Sequence, residues 1–229
     1  MKVLGIGAHP DDIEIFMFGL LYALKKNNDK IFLLIATDGS AGGTLPPDEL
    51  SKLRKKETIT GLRKLGIPDF LNLKDGKLLW DNDHLEIFSN YIKKISPDLI
   101  VTHGPEDYHA DHKSLSQIVT KIIDFKCPIL FCDTLMGVNF NPEIYVDITE
   151  NFLEKKKAIL CHKSQNPQKF FKATKLMNRF RAAQCNAPEG SYAEAYRLNK
   201  NFPYVDIRNI LPPPPKLRPF DISCKDSLI

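Results

Sequence analysis

Residues 2–8, KVLGIGA, form an almost wholly apolar run that is too short for a stable helix. A run that is apolar on both faces reads as a central strand of a parallel sheet, covered by helices on either side. It stops at His9-Pro10-Asp11-Asp12, and a helical period then begins at Ile13, Phe16, Met17, Leu20, Leu21 and Leu24. Asp11 or Asp12 supplies a cap for that helix, and Asn27-Asn28-Asp29 ends it. The same alternation continues. Residues 30–36 read as a second buried strand, followed by the loop Thr37-Asp38-Gly39-Ser40-Ala41-Gly42-Gly43. A helix over 48–65 stops at Gly66, 70–73 is a short strand, and an amphipathic helix over 83–95 is punctuated by Pro97. A strand at 99–102, a loop at 103–112 and a helix to about 125 come next. Strands at 129–132 and 144–148 and helices at 151–162 and 170–185 complete the regular part.

Alternating strands and helices predict a single α/β domain, Rossmann-like, with a mainly parallel sheet and helices on both faces, over residues 1–210. A chain of 229 residues is long enough to bury its core in one such domain. Residues 211–229 open with Leu211-Pro212-Pro213-Pro214-Pro215, whose prolines donate no backbone hydrogen bonds. They predict an extended, polyproline-like arm that lies on the domain, reaches a neighbouring subunit or stays loose.

The net charge of +4 is mild and its lysines and arginines are scattered, so no basic stripe of a nucleic-acid binder is present. The densest basic run, Lys155-Lys156-Lys157, reads as a solvated helix face. Five cysteines without a CxxC pair argue against both a disulfide framework and a structural zinc knuckle. A reducing compartment follows. With no apolar stretch near the ~20 residues of a membrane span and no separate signal segment, the expected location is cytoplasmic.

The chemistry-bearing residues gather where strands end. In open α/β sheets ligands bind in the crevice beyond the carboxyl ends of the strands. His9-Pro10-Asp11-Asp12 follows the first strand, and His109-Ala110-Asp111-His112 follows the strand at 99–102. Taken alone, the first cluster reads equally well as a turn histidine and a helix cap. Two such clusters instead suggest one metal site built from distant segments. Two imidazoles and a carboxylate, from His9, Asp12 and His112, suit a divalent zinc with one position left open for water, and the set also suits iron(II). Gly5-Ile6-Gly7 invites a dinucleotide-binding reading, which fails because Pro10 stands where a third glycine is needed and His9 crowds the turn.

Ala8-His9-Pro10-Asp11-Asp12 resembles the AHPDD signature of the PIG-L/LmbE-like zinc-dependent N-deacetylases, and His109-Ala110-Asp111-His112 fits that family's HxDH pattern. Thr37-Asp38-Gly39, Arg54 with Glu57 ahead of Leu65-Gly66, Tyr145-Val146-Asp147-Ile148, Lys157-Ala158, His162-Lys163-Ser164-Gln165 and Tyr192-Ala193-Glu194 extend the likeness over residues 2–197. The Pro-rich tail has no counterpart in it. The resemblance implies an LmbE-like deacetylase fold and a metal-dependent hydrolase that removes acetyl from an N-acetylated amino sugar of N-acetylglucosaminyl type. It implies that His9, Asp12 and His112 bind Zn2+ (or Fe2+), and that Asp11 is the general base for water activated by the metal. The resemblance further implies that His109, when protonated, stabilises the oxyanion (the alternative being that it is itself a metal ligand), and that Asp111 orients His109. It implies as well that Arg54 binds sugar hydroxyls, and it makes Tyr192 a candidate for a phenol that closes over the site. A homo-oligomer is also implied. Asp38, Glu14 and His103 are expected behind the site, His84 on the surface and His162 in a structural role. The competing readings are a metal-dependent hydrolase of another ester or phosphoester, an iron oxygenase and a non-catalytic metal-binding protein.

Overall fold

In the computed structural model, which describes residues 1–200 and 206–218, a seven-stranded sheet forms the centre of the molecule. Its strands are β1 (Lys2–Gly7), β2 (Lys30–Thr37), β3 (Asp69–Leu73), β4 (Leu99–His103), β5 (Ile129–Cys132), β6 (Ile144–Asp147) and β7 (Ala193–Leu198), in the spatial order β3-β2-β1-β4-β5-β7-β6. The first five run parallel, and β7 lies antiparallel to both β5 and β6. The fold is the expected mainly parallel α/β architecture.

The helices are α1 (Asp12–Phe16), α2 (Phe18–Lys26), α3 (Pro47–Gly61), α4 (Asn82–Ile95), α5 (Ala110–Ile123), α6 (Phe152–Ile159) and α7 (Pro167–Gln184). Alternate strand residues serve opposite faces, as a pleat requires. Val3, Leu33, Ile35, Leu99 and Val101 pack with Phe18, Leu62 and Ile159 on one side. Leu4, Ile6, Leu34 and Ile100 pack with Phe88, Leu115 and Ile118 on the other. This two-sided burial explains why β1 and β4 read as unbroken apolar runs.

The crossover that follows β1 leads to β2 on one side, whereas the strand on its other side is β4. A crevice therefore opens between the carboxyl ends of β1 and β4, the switch point at which doubly wound sheets bind ligands. Both polar clusters of the sequence sit at its rim.

Three features depart from the sequence reading. The expected helix across 12–24 is two helices, broken at Met17 (φ −130°). The Glu194 carboxylate accepts the Gly19 and Leu20 N–H groups at 2.8 and 2.7 Å, capping α2 from a residue 174 or more positions away. Lys155, expected on a solvated face, is fully buried and its ammonium lies 2.6 Å from Glu194. A buried charge needs a charged partner, and the partner here comes from β7. That strand was not expected at all, because its inward side chains include Glu194 and Tyr196 and so break the apolar pattern.

The described part of the Pro-rich segment lies along the domain: Asp147 donates its N–H to Pro213 O (2.9 Å) and Arg218 to Asn186 O (2.8 Å). The remainder, 219–229, is outside the described residues, as is Cys224. Cys127, Cys132, Cys161 and Cys185 are free thiols. Among the described residues no helix is long and apolar enough to cross a membrane.

Candidate active site

The turn after β1 brings its side chains together through a constrained backbone. Asp11 has φ 141°, a region a non-glycine residue occupies only where its surroundings impose it. Pro10 packs so closely on the loop after β2 that a Cβ on Gly39 (φ +65°) would lie 2.8 Å from the proline ring. Asp12 then opens α1, with its Oδ2 accepting the His9 N–H at 2.7 Å. From the far side, α5 starts at Ala110 and directs His112 into the same crevice.

His9, Asp12 and His112 converge on one point. His9 Nδ1 lies 3.2 Å from His112 Nε2 and 3.4 Å from Asp12 Oδ2, and His112 Nε2 lies 3.4 Å from Asp12 Oδ2. Zinc bound at about 2.0–2.1 Å by tetrahedral nitrogen and oxygen ligands separates them by about 3.3–3.4 Å. The donor triangle therefore has the size of one face of that coordination sphere. All three residues line a cavity of about 340 Å³, so a fourth position faces open space. Asp12, His103 and His112 form another close group. His103, however, is wholly buried and does not line the cavity, and its Nε2 lies 3.0 Å from Asp12 Oδ2 and 3.3 Å from Ala8 N. Its ring stacks on His112 at 3.6 Å.

The outward nitrogen of each converging imidazole faces carboxylate. His9 Nε2 is 3.1 Å from Asp111 Oδ2 and 3.2 Å from Asp75 Oδ1, and His112 Nδ1 is 2.9 Å from Asp107 Oδ2. Carboxylates in that position fix the tautomer of metal-ligating histidines and raise their basicity. Burial opposes charge on both rings. At His9 the hydrogen bonds to Asp111, Asp12 and Asp75 outweigh it and push the pKa up to about 12. At His112, Asp12 and Asp107 push it up to about 9. The carboxylates themselves are anchored: Asp111 accepts the Gly76 and Leu78 N–H groups, Asp75 that of Ala41 and Asp107 that of His109. The centre is thus shaped to hold positive charge.

The remaining expected residues fall as follows. Asp11 is buried, and its Oδ2 lies 3.1 Å from Arg54 Nη2. Burial raises its pKa and the guanidinium lowers it, with a net rise. Arg54 lines the cavity but also donates to Gly39 O (3.0 Å) and Pro10 O (2.9 Å), tying together the loops after β1 and β2. His109 stands beside both converging imidazoles, with ring centroids 4.6 Å from His9 and 4.7 Å from His112. Its Nδ1 accepts the Asp111 N–H (3.2 Å), which leaves the ring proton on Nε2. Burial and the charge of its histidine neighbours lower its pKa, favouring that neutral form. The Asp111 carboxylate meets His9, not the His109 ring it was expected to orient.

Tyr192 is not among the side chains brought together here. It stacks on Phe152 at 3.7 Å, packs against the core and does not line the cavity. An aromatic residue that does is Tyr108, about half exposed at the mouth. Glu14 and His162 pair 2.8 Å apart beneath the site, and His84 sits at the start of α4 against Asp81. Asp75, Tyr108, Gln165, Leu135 and Phe170 also line the cavity and were not expected there. For Asp75 a usable signal existed: it is a carboxylate just beyond a parallel strand.

A family model described as "PIG-L: GlcNAc-PI de-N-acetylase" matches residues 4–123 of the chain. Diacetylchitobiose deacetylase from Thermococcus kodakarensis is 26% identical over 192 residues, covering 73% of this chain and 71% of that protein. Among solved structures, N,N'-diacetylchitobiose deacetylase from Pyrococcus horikoshii superposes with a TM-score of 0.77 at 24% identity, covering 90% of this chain and 88% of that one. GalB, a 4-carboxy-2-hydroxymuconate hydratase from Pseudomonas putida, superposes with a TM-score of 0.79 at 17% identity, covering 90% and 98%. At such identities the structural likenesses speak for the fold alone.

Proposed function

Because the chain belongs to the PIG-L family of de-N-acetylases, we propose that it is a zinc-dependent hydrolase that removes acetyl from an N-acetylated amino sugar. The observation that carries this reading is the triangle of donor atoms from His9, Asp12 and His112, open on the cavity side, with Asp11 lining the same cavity and, among the described residues, hydrogen-bonded to no imidazole. Those three residues would hold the ion. When bound, zinc supplies Lewis-acid polarisation of the amide carbonyl and lowers the pKa of water to about 7.

The protein's own groups divide the rest of the work. Asp11 takes the proton from the attacking water and returns it to the leaving amine, so one carboxylate serves as base and then as acid. Arg54 keeps that carboxylate fixed through its bonds to Pro10 O and Asp11. His109 offers its Nε2–H to the oxygen that gains charge during attack, a donor worth about 3–4 kcal/mol when preorganised. Asp111 and Asp75 hold His9, and Asp107 holds His112, so that neither ring has to turn when substrate arrives. The Asp75 and Gln165 side chains, with Arg54, make one end of the cavity polar and suited to sugar hydroxyls.

The test is release of free amine from N-acetylglucosamine and N,N'-diacetylchitobiose by protein whose zinc and iron are quantified on the same preparation. Activity that scales with bound zinc, vanishes with a chelator and returns with zinc is the expected outcome. Full metal occupancy with no amine from either sugar would rule the proposal out.

A further inference from the structure

The cavity is chemically two-sided, and the deacetylase reading uses only one side. Asp75 approaches His9, so the polar end lies on the His9 side of the donor triangle. On the other side Phe16 stands edge-on to His112, with centroids 6.2 Å apart. Ile15, Leu135 and Phe170 also line the cavity and belong with Phe16 to one apolar cluster, which makes this wall. A scissile amide carbonyl has two substituents besides its oxygen: the nitrogen with its sugar, and the acyl carbon. If the sugar lies against Arg54 and Asp75, the acyl group faces the wall. Four apolar side chains are more than one methyl requires.

The wall is also built to stay in place. Leu135 sits on the loop after β5, and Asp133 at the start of that loop makes a two-pronged, buried ion pair with Arg181 of α7. Thr134 Oγ1 donates to Val138 O at 2.6 Å across the loop. Met136 is held at φ 60°, and a Cβ on Gly137 (φ +69°) would lie 2.7 Å from Arg181 Nη2. Phe170 comes from the first turns of the same α7. One buried ion pair thus fixes the loop carrying Leu135 to the helix carrying Phe170. A pocket held this way loses little conformational entropy when an apolar chain enters it.

We infer that the wall formed by Ile15, Phe16, Leu135 and Phe170 is an acyl subsite, and that the enzyme hydrolyses N-acyl amino sugars with chains longer than acetyl. This rests on the deacylase reading above. The reaction is otherwise unchanged: water adds to the carbonyl, the C–N bond breaks, and a longer carboxylic acid leaves with the free amine.

The experiment compares kcat/KM for N-acetyl-, N-propionyl- and N-butyrylglucosamine, each followed by glucosamine release. Two further methylenes at ~0.8 kcal/mol each predict a butyryl-to-acetyl ratio of about fifteen when fully buried, and about four when half buried. In Phe170→Ala and Leu135→Ala the ratio should fall towards one. Because it is taken within one preparation, a smaller folded fraction does not change it. A wild-type ratio below one, or a ratio that both variants leave intact, overturns the subsite while the deacetylase reading stands. Failure to release amine from any of the three, acetyl included, refutes that reading and the subsite with it.

Discussion

Asp11→Asn separates the two jobs this carboxylate can have. In the structure Asp11 Oδ2 is 3.1 Å from Arg54 Nη2, and Arg54 has two further acceptors, Gly39 O and Pro10 O. Asparagine keeps the shape and an oxygen for the guanidinium. The stability cost should therefore stay within the ~1.5–3 kcal/mol of one charged hydrogen bond. The rate cost is larger in kind. An amide has no basic lone pair near neutral pH, so a general base is removed outright, and such groups contribute about 10²- to 10⁴-fold. At 1.36 kcal/mol per decade this is about 2.7–5.5 kcal/mol of transition-state stabilisation.

The assay is amine release under kcat/KM conditions, with zinc content measured on the same sample. The expected variant is folded, fully metallated and at least about a hundredfold slower. Activity within about threefold of wild type at full occupancy would show that Asp11 only anchors Arg54, and the catalytic assignment would fall. Loss of metal would instead make Asp11 a ligand.

Metal binding should be proton-linked. His9 and His112, pushed up to about 12 and about 9, carry protons below those values in the metal-free protein, whereas a metal needs them neutral. Affinity should therefore rise with pH, by about tenfold per unit for each proton displaced, and a flat chelator-competition curve between about pH 6 and 8 would contradict this. His9→Ala and Asp12→Ala should each lose stoichiometric zinc on dialysis; full retention would place the ion elsewhere. Lys155→Met strands the buried Glu194 carboxylate with only the Gly19 and Leu20 N–H groups and the Tyr196 hydroxyl, so urea unfolding should show a loss near the low end of the ~3–5 kcal/mol for a broken buried pair. A loss below about 1 kcal/mol would mean the ion pair is not what stabilises that junction. Tyr192→Phe preserves the stack on Phe152 and should leave kcat/KM within about twofold, since the ring does not line the cavity; a large drop would give the phenol a part in the reaction.

What the sequence made legible was local. His9, Asp11 and Asp12 share one turn, and His109, Asp111 and His112 share another, so it is the pairing of two such clusters, each after a strand, that marks them. The apolar runs at 2–8 and 99–102 placed both turns at strand ends, and the fold then made those ends neighbours. Contacts that join distant segments left no local trace. Glu194 breaking the first helix, Lys155 turning inward to meet it and Asp111 serving His9 in place of His109 each depend on tertiary proximity. Asp75 and Asp107 are single carboxylates in loops, without a motif around them; Asp75 had only its place just beyond β3 to mark it, and the side chains facing them define their roles. Tyr192 shows the opposite limit: a resemblance can fix a residue's position in the chain without fixing where its ring points, here onto Phe152.

The fold itself does not choose the reaction, since a hydratase superposes on this chain as well as a deacetylase does. The choice lies in how the site's acidic residues are committed. Asp12 joins the donor triangle, Asp75 and Asp111 face the rear of His9, and Asp107 faces the rear of His112. Each of those four has an imidazole to hold. Among the described residues Asp11 has no such hydrogen bond; its partner is Arg54, which steadies it without taking its capacity to accept a proton. A buried carboxylate that lines the same cavity, raised in pKa and without a hydrogen bond to an imidazole among the described residues, is the group to which the proposed reaction would pass a proton from an attacking water. On the proposed reading, that allocation of charges, more than the strand order, is what leaves Asp11 to serve as the base.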